Sequence, residues 1–156
     1  MPGPVKEEQF TTHSVDETRA FGHQLARRLT PGTVIGLVGD LGSGKTCLVQ
    51  AICHALGVDG PVTSPTFILI NEYAGRDPVG KMIPIYHFDL YRLMGEEELL
   101  DLGSEDYFYG SGVCLVEWAD MAGSLLPTDH TSIQIEHAGE DSRHFRVSWG
   151  RMSCVA

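Results

Sequence analysis

The residues Gly39–Thr46, GDLGSGKT, carry the clearest chemistry in this sequence. They fit G-x-x-x-x-G-K-[ST], in which a glycine-rich turn points successive backbone N–H groups inward around a polyphosphate. A helix starting at this point adds the positive end of its dipole, about half an elementary charge. In such a loop the Lys45 ammonium reaches the β- and γ-phosphates and the Thr46 hydroxyl ligates Mg²⁺. Asp40, Leu41, Gly42, Ser43, Gly44 and Cys47 complete the expected cradle.

A phosphate loop of this kind needs a carboxylate, because Mg²⁺ takes one or two acidic ligands besides phosphate oxygens and water. In open α/β sheets that carboxylate belongs at the C-terminal end of a neighbouring strand. Glu117, directly after VCLV, and Asp89, at the end of IYHFD, both qualify. Either one would hold Mg²⁺, directly or through water, or orient an attacking water. The hydroxyl-rich Thr63-Ser64-Pro65-Thr66 reads either as a nucleotide-sensing loop, with Ser64 and Thr66 as switch-like contacts, or as a Ser-Pro turn entering a strand. His87 lies two residues before Asp89, so both side chains share one strand face. It is read either as a group that steers water or senses phosphate, or as a hydrogen-bonded structural residue. Trp118 is open between a partner anchor and a core aromatic, and Arg92 between a phosphate contact and a pairing with Glu96–Glu98.

The elements needed to position these groups are visible around them. Thr33–Val38 (TVIGLV) is a short apolar run of the kind that forms a buried parallel strand. Leu48, Val49, Ile52, Ala55 and Leu56 recur at helical spacing after the loop, and Gly57 supplies the stop. Upstream, Gln9–His13 reads as a first strand, and Ser14-Val15-Asp16-Glu17 is a capping box. The helix it opens places Phe21, Leu25 and Leu29 on one face and ends before Pro31. Downstream, Val62–Tyr73 reads as a turn followed by an extended run, and Asp77–Gly80 as a turn. Met82–Phe88 is a strand with an irregular or edge-like start at Pro84. Glu96–Leu102 is a short helix, Asp106–Tyr109 a turn, and Val113–Val116 a second buried strand. Alternation in Ser132–Glu136 and again at Phe145 and Val147, around a Gly139–Ser142 turn, predicts an antiparallel hairpin at a sheet edge. The expected fold is therefore α/β: one three-layer domain over residues 1–156, frayed at 1–4. It has a mostly parallel central sheet, helices on both faces and a C-terminal edge hairpin.

Composition narrows the options. The chain has 156 residues and a net charge of −10, with only three lysines, one of them in the loop. Proteins that grip nucleic acid unaided carry a basic patch, and Arg27-Arg28 is the only basic pair here. Direct, tight RNA binding is thus disfavoured. No stretch approaches the 18 apolar residues of a membrane span, and MPGPVKEEQF lacks the apolar core of a signal peptide. A cytoplasmic location is expected. Cys47, Cys53, Cys114 and Cys154 form no CxxC pair, and the seven histidines lack metal-ligand spacing.

In combination the motifs resemble the TsaE family of bacterial tRNA threonylcarbamoyladenosine biosynthesis, over roughly residues 14–127. GDLGSGKT is similar to the family's phosphate loop and VTSPTF to its SPT[FY] segment. YHFDLYRL, EEELLDLGSEDYF, CLVEW and LLP at Leu125–Pro127 follow in the family's order. The resemblance implies an ATPase of the P-loop NTPase fold, with ATP and Mg²⁺ as its cofactors. It implies Lys45 on phosphate, Thr46 and Glu117 on Mg²⁺, Asp89 in hydrolysis or switching, and Val15 near the nucleotide base. It also implies that the TsaB and TsaD proteins are the partners, with tRNA reached through them. Cys47 departs from the family's usual Thr, which removes a hydroxyl contact to the α-phosphate.

Two other phosphate-loop activities compete. A small-molecule kinase normally carries an arginine-rich lid, and no Arg cluster lies between the loop and the tail. A GTP switch normally selects guanine with N-K-x-D, and neither Lys6 nor Lys81 sits in that pattern.

Overall fold

The computed structural model of the protein describes residues 6–65 and 68–150. The chain runs β1 (Lys6–Thr12), α1 (Val15–Ala26), β2 (Val34–Val38), α2 (Lys45–Ala55), β3 (Ile70–Arg76), β4 (Met82–Asp89), α3 (Glu96–Asp101), α4 (Ser104–Phe108), β5 (Val113–Glu117), a 3₁₀ segment (Ala119–Leu125), β6 (Thr131–His137) and β7 (Arg143–Trp149). The strands form one sheet in the order β1-β7-β6-β2-β5-β4-β3. The central four, β6, β2, β5 and β4, are parallel. Antiparallel pairs flank them on both sides.

Two expectations are refined. The C-terminal hairpin is antiparallel, but it does not form the sheet edge. β1 pairs with β7 along its whole length, from Lys6 opposite Trp149 to Thr12 opposite Arg143, and so takes the edge itself. Ser104–Phe108, read partly as a turn, closes into a short helix. Pro84 sits where expected: β5 pairs with β4 only from Ile85 onward, so the missing proline N–H falls beyond the β5 ladder.

Both faces of the central strands are covered, which is why β2 and β5 read as continuous apolar runs. Alternation along each strand divides their side chains between two cores. Ile35, Leu37, Ile85, Leu115, Ile133 and Phe145 pack under α1 and α2. Val34, Phe88, Cys114 and Val116 pack against Leu99, Phe108, Ala122 and Leu126 on the other face. α1 and α2 meet at Gly22, where a Cβ would lie 2.5 Å from the Ala51 Cβ. Ser14 caps α1 through its Oγ, which accepts from the Glu17 N–H at 3.1 Å. The Glu17 carboxylate reaches back to the His13 N–H at 3.0 Å, one residue further than a strict capping box requires. Leu29 lies beyond the end of α1, yet a tight turn from Leu29 N to Ala26 O keeps it buried in the same core.

Candidate functional site

The alternation that fills the two cores also aims the polar groups. Ile83 and Ile85 point toward α2, so His87 and Asp89 on the same strand do so as well. Leu115 points the same way, and Glu117 follows it. Asp89 pairs with Glu117, and Glu117 with Leu37, so the strand ends come level beside the loop that leaves β2. The resulting cleft has a volume of about 430 Å³ and is lined by the loop, Ser64, Asp89, Tyr91, Arg92, Glu117 and Trp118.

The loop adopts the expected form. Gly44 is the N-cap of α2 with φ 111° and ψ 15°, a left-handed backbone that an L side chain strains. No side chain caps α2 at that point, which leaves its first-turn N–H groups to an outside acceptor. Gly39 is needed for a different reason: a Cβ there would lie 2.6 Å from the Ile135 carbonyl oxygen. Lys45 folds back over its own loop. Its Nζ donates to the Gly39 carbonyl at 2.6 Å and the Asp40 carbonyl at 2.9 Å, and lies 4.1 Å from the centre of the Trp118 ring. Burial pulls the ammonium below the usual lysine range, while Glu117, Asp89, Asp40 and Asp120 pull it back up.

Thr46 and Glu117 meet directly. The Thr46 hydroxyl donates to Glu117 Oε1 at 2.8 Å, and the second carboxylate oxygen faces His87 Nε2 at 2.5 Å. Glu117 is 2% exposed and His87 fully buried. Asp89 is held separately. One of its oxygens accepts from the Ser64 hydroxyl, and the other from the Tyr91 N–H at 3.0 Å. Asp89 thus caps its own turn and tethers the Ser64 segment.

Three further side chains pin that segment. Gln50 of α2 donates to the Val62 carbonyl at 2.8 Å, and Asn71 and Tyr73 of β3 both donate to the Thr63 carbonyl. Thr66 lies outside the described residues. Leu69, which closes the segment, has a positive φ of 68°.

The other sequence assignments are placed as follows. Leu41, Gly42, Gly44 and Cys47 line the cleft. Asp40 and Ser43 form the loop turn, with Ser43 N donating to the Asp40 carbonyl. Val15 opens α1, is 48% exposed and is not among the cleft-lining residues. Its end of α1 nonetheless approaches the hairpin turn, where His13 Nδ1 meets the Ser142 hydroxyl at 3.3 Å. Arg143 is a site-adjacent residue that sequence reasoning missed. Its Nε donates to the Ser43 carbonyl at 2.8 Å, tying the C-terminal hairpin to the phosphate loop. An arginine at the start of a hairpin strand carries no motif that would have announced this. A cavity of about 480 Å³ at the opposite end of the sheet, among Thr30, Gly32, Tyr109 and Asp129, contains none of the assigned residues.

The donor set fits Mg²⁺. A hydroxyl and a carboxylate converge on the cleft, both hard oxygen donors. Among the described residues no group of three or more His, Cys, Asp or Glu is arranged for an all-protein metal cage, and Mg²⁺ on a phosphate ligand does not use one.

The sequence profile for threonylcarbamoyl adenosine biosynthesis protein TsaE matches residues 12–145. The chain belongs to the TsaE family. It is 42% identical over 139 residues to the TsaE of Bacillus subtilis, covering 89% of this chain and 84% of that one. It is 35% identical over 137 residues to the TsaE of Treponema pallidum, covering 88% and 97%. The crystal structure of Bacillus subtilis YdiB superposes with a TM-score of 0.72 at 36% identity, covering 94% of this chain and 88% of YdiB. The TsaE match spans the loop, both strand-end carboxylates and the Ser64 segment, so each of them lies within the shared fold. Among the described residues no helix is long and apolar enough to cross a membrane.

Proposed function

We propose that this TsaE-family chain is a Mg²⁺-dependent ATPase subunit. In this reading it supports threonylcarbamoyl modification of the adenosine next to the anticodon in tRNA, acting with the TsaB–TsaD pair. The observation that carries the reading is the Thr46–Glu117 contact at the mouth of a left-handed glycine loop. It sets side by side a hydroxyl and a carboxylate that would hold a divalent cation, whose charge would offset that of the phosphates.

Each residue then has a task. The loop amides and the start of α2 bind the phosphates, and Lys45 exchanges its carbonyl contacts for phosphate oxygens. Thr46 and Glu117 would hold Mg²⁺, which supplies charge neutralisation on the β- and γ-phosphates when bound. Asp89, level with Glu117 on the adjacent strand, orients the attacking water, and its bond to Ser64 reports the state of the site to the 62–65 segment. Tyr91 and Leu41 line the cleft and stay exposed, an apolar rim of the kind a partner protein buries.

Turnover by the chain alone should be slow, about 10⁻² to 10⁻⁴ per second, as in phosphate-loop enzymes that lack a partner's contribution. Phosphate release measured with and without the TsaB–TsaD pair tests the reading. Stimulation or coupling supports it, and the absence of both binding and stimulation removes the partner assignment. Competition between ATP and GTP for the site decides against a guanine-selective switch, and a mass-spectrometric search for phosphorylated acceptors decides against a kinase.

A further inference from the structure

The geometry points to His87 as a positioning residue that fixes the Glu117 carboxylate so that one oxygen is presented to the cation beside Thr46. This inference rests on the proposed Mg²⁺-dependent nucleotide site.

Glu117 has two oxygens with separate duties. Oε1 faces Thr46 and the cleft, while Oε2 is turned inward to His87 Nε2 at 2.5 Å. His87 is fully buried on β4, one strand away, and its ring stands 6.3 Å from that of Tyr73. Its other nitrogen, Nδ1, is buried with no hydrogen-bond partner among the described residues. With the proton on Nδ1, the Nε2 lone pair would face the carboxylate oxygen and the Nδ1–H would lack an acceptor. The proton therefore sits on Nε2, where Glu117 accepts it. A carboxylate free to rotate about its last torsion explores a broad range of orientations. Locking Oε2 removes that freedom and leaves Oε1 directed at the cleft. Outer contacts of this kind orient metal ligands, and their loss typically weakens metal affinity about 10- to 100-fold.

The sequence singles out His87 but not its partner, which lies 30 residues away. Reading it with Asp89, its near neighbour, pointed to a different pairing. In the structure Asp89 bonds Ser64 and Tyr91, and it is Glu117 that takes the histidine.

The test is the magnesium dependence of nucleotide binding, followed by calorimetry with ATP over a range of Mg²⁺ concentrations and in EDTA. His87→Phe keeps a flat ring without the donor. It should raise the Mg²⁺ concentration for half-maximal enhancement about 10- to 100-fold and leave binding in EDTA unchanged. His87→Gln places an amide N–H near the position of Nε2 and should restore the wild-type dependence to within about threefold, whereas His87→Asn, too short to reach, should resemble the Phe variant. A purely structural role would lower the melting temperature without moving the magnesium dependence. Unchanged dependence in His87→Phe, or equal losses with and without magnesium, overturns the inference. Should the variants not fold, ¹⁵N-detected NMR of the wild-type protein decides: a slowly exchanging proton on Nε2 and a bare Nδ1 are expected, and a proton on Nδ1 overturns it. If wild-type binding does not respond to magnesium at all, the proposed function itself falls. If the wild type responds and His87→Phe responds equally, only the role of His87 falls.

Discussion

The two ends of the central sheet hold cavities of similar size, about 430 and 480 Å³, yet only one has the makings of a site. At the C-terminal ends of β2, β4 and β5, four ionisable side chains are buried together: Lys45, His87, Asp89 and Glu117. Each has partners drawn from a different element. Among the residues lining the cavity at the opposite end, the buried polar one is Thr33, whose hydroxyl is used within its own turn, accepting from the Thr30 N–H at 3.2 Å. Parallel strands bring several loops to one end in register, and buried charge survives only where several elements supply partners. Volume alone says little about where chemistry happens.

The largest expected effects test this contrast. Glu117→Ala should abolish magnesium-dependent turnover while nucleotide still binds in EDTA; an unchanged rate in a phosphate-release assay removes Glu117 from the site. Lys45→Ala removes a preorganised charge at the phosphates and should slow turnover by roughly 100- to 1,000-fold, about 3–4 kcal/mol. At the other end, Tyr109→Ala should change turnover less than about twofold, as surface substitutions distant from a site do. A loss comparable to that of Lys45→Ala would erase the distinction between the two ends.

The cysteines extend the comparison to pH. Burial pushes Cys53 and Cys114 up to about 12, while Cys47 lines the cleft. In the unfolded chain both buried thiols ionise from about pH 8.5. Between that value and about 12 the unfolded chain holds fewer protons than the fold, so stability falls as pH rises. The slope from these two groups is about 1.4 kcal/mol per pH unit for each thiol. Denaturant melts between pH 8 and 10.5 check this, and Cys53→Ala with Cys114→Ala should flatten the slope. In peptide-resolved alkylation of the folded protein, Cys47 should be modified before Cys53 and Cys114 and be protected by ATP with Mg²⁺.

Smaller effects come from the rim. Arg143→Ala removes one hydrogen bond to the loop carbonyl of Ser43 and should weaken nucleotide binding by less than about tenfold. Cys47→Thr supplies a hydroxyl next to Thr46 and should strengthen it by a neutral hydrogen bond, about 0.5–1.5 kcal/mol.

Features fixed by local chemistry were legible from the residues alone. GDLGSGKT, the Ser14 cap, the buried VCLV strand and the Gly139–Ser142 turn all act within a few residues. Asp89 and Glu117 were legible as strand-end carboxylates because the parallel-sheet rule names their location. What escaped depends on partners far apart in the chain. Lys6 pairs with Trp149, so nothing near the hairpin shows that β1 covers its edge. The Arg143–Ser43 bond spans 100 residues, and the packing of Lys45 on Trp118 needs a left-handed turn at Trp118 that no propensity favours.

The pairing of β1 with β7 also has a practical side. Lys6 stands opposite Trp149, which puts the beginning and end of the described chain about 5 Å apart on the far edge of the sheet. A short peptide bridge would join them, so the protein should tolerate circular permutation, with new ends cut into the exposed Asp77–Gly80 bend. Lys6 and Trp149 mark one end of the β1–β7 pair, and Thr12 and Arg143 mark the other, which meets the glycine loop, so a splice between Lys6 and Trp149 leaves the cleft untouched.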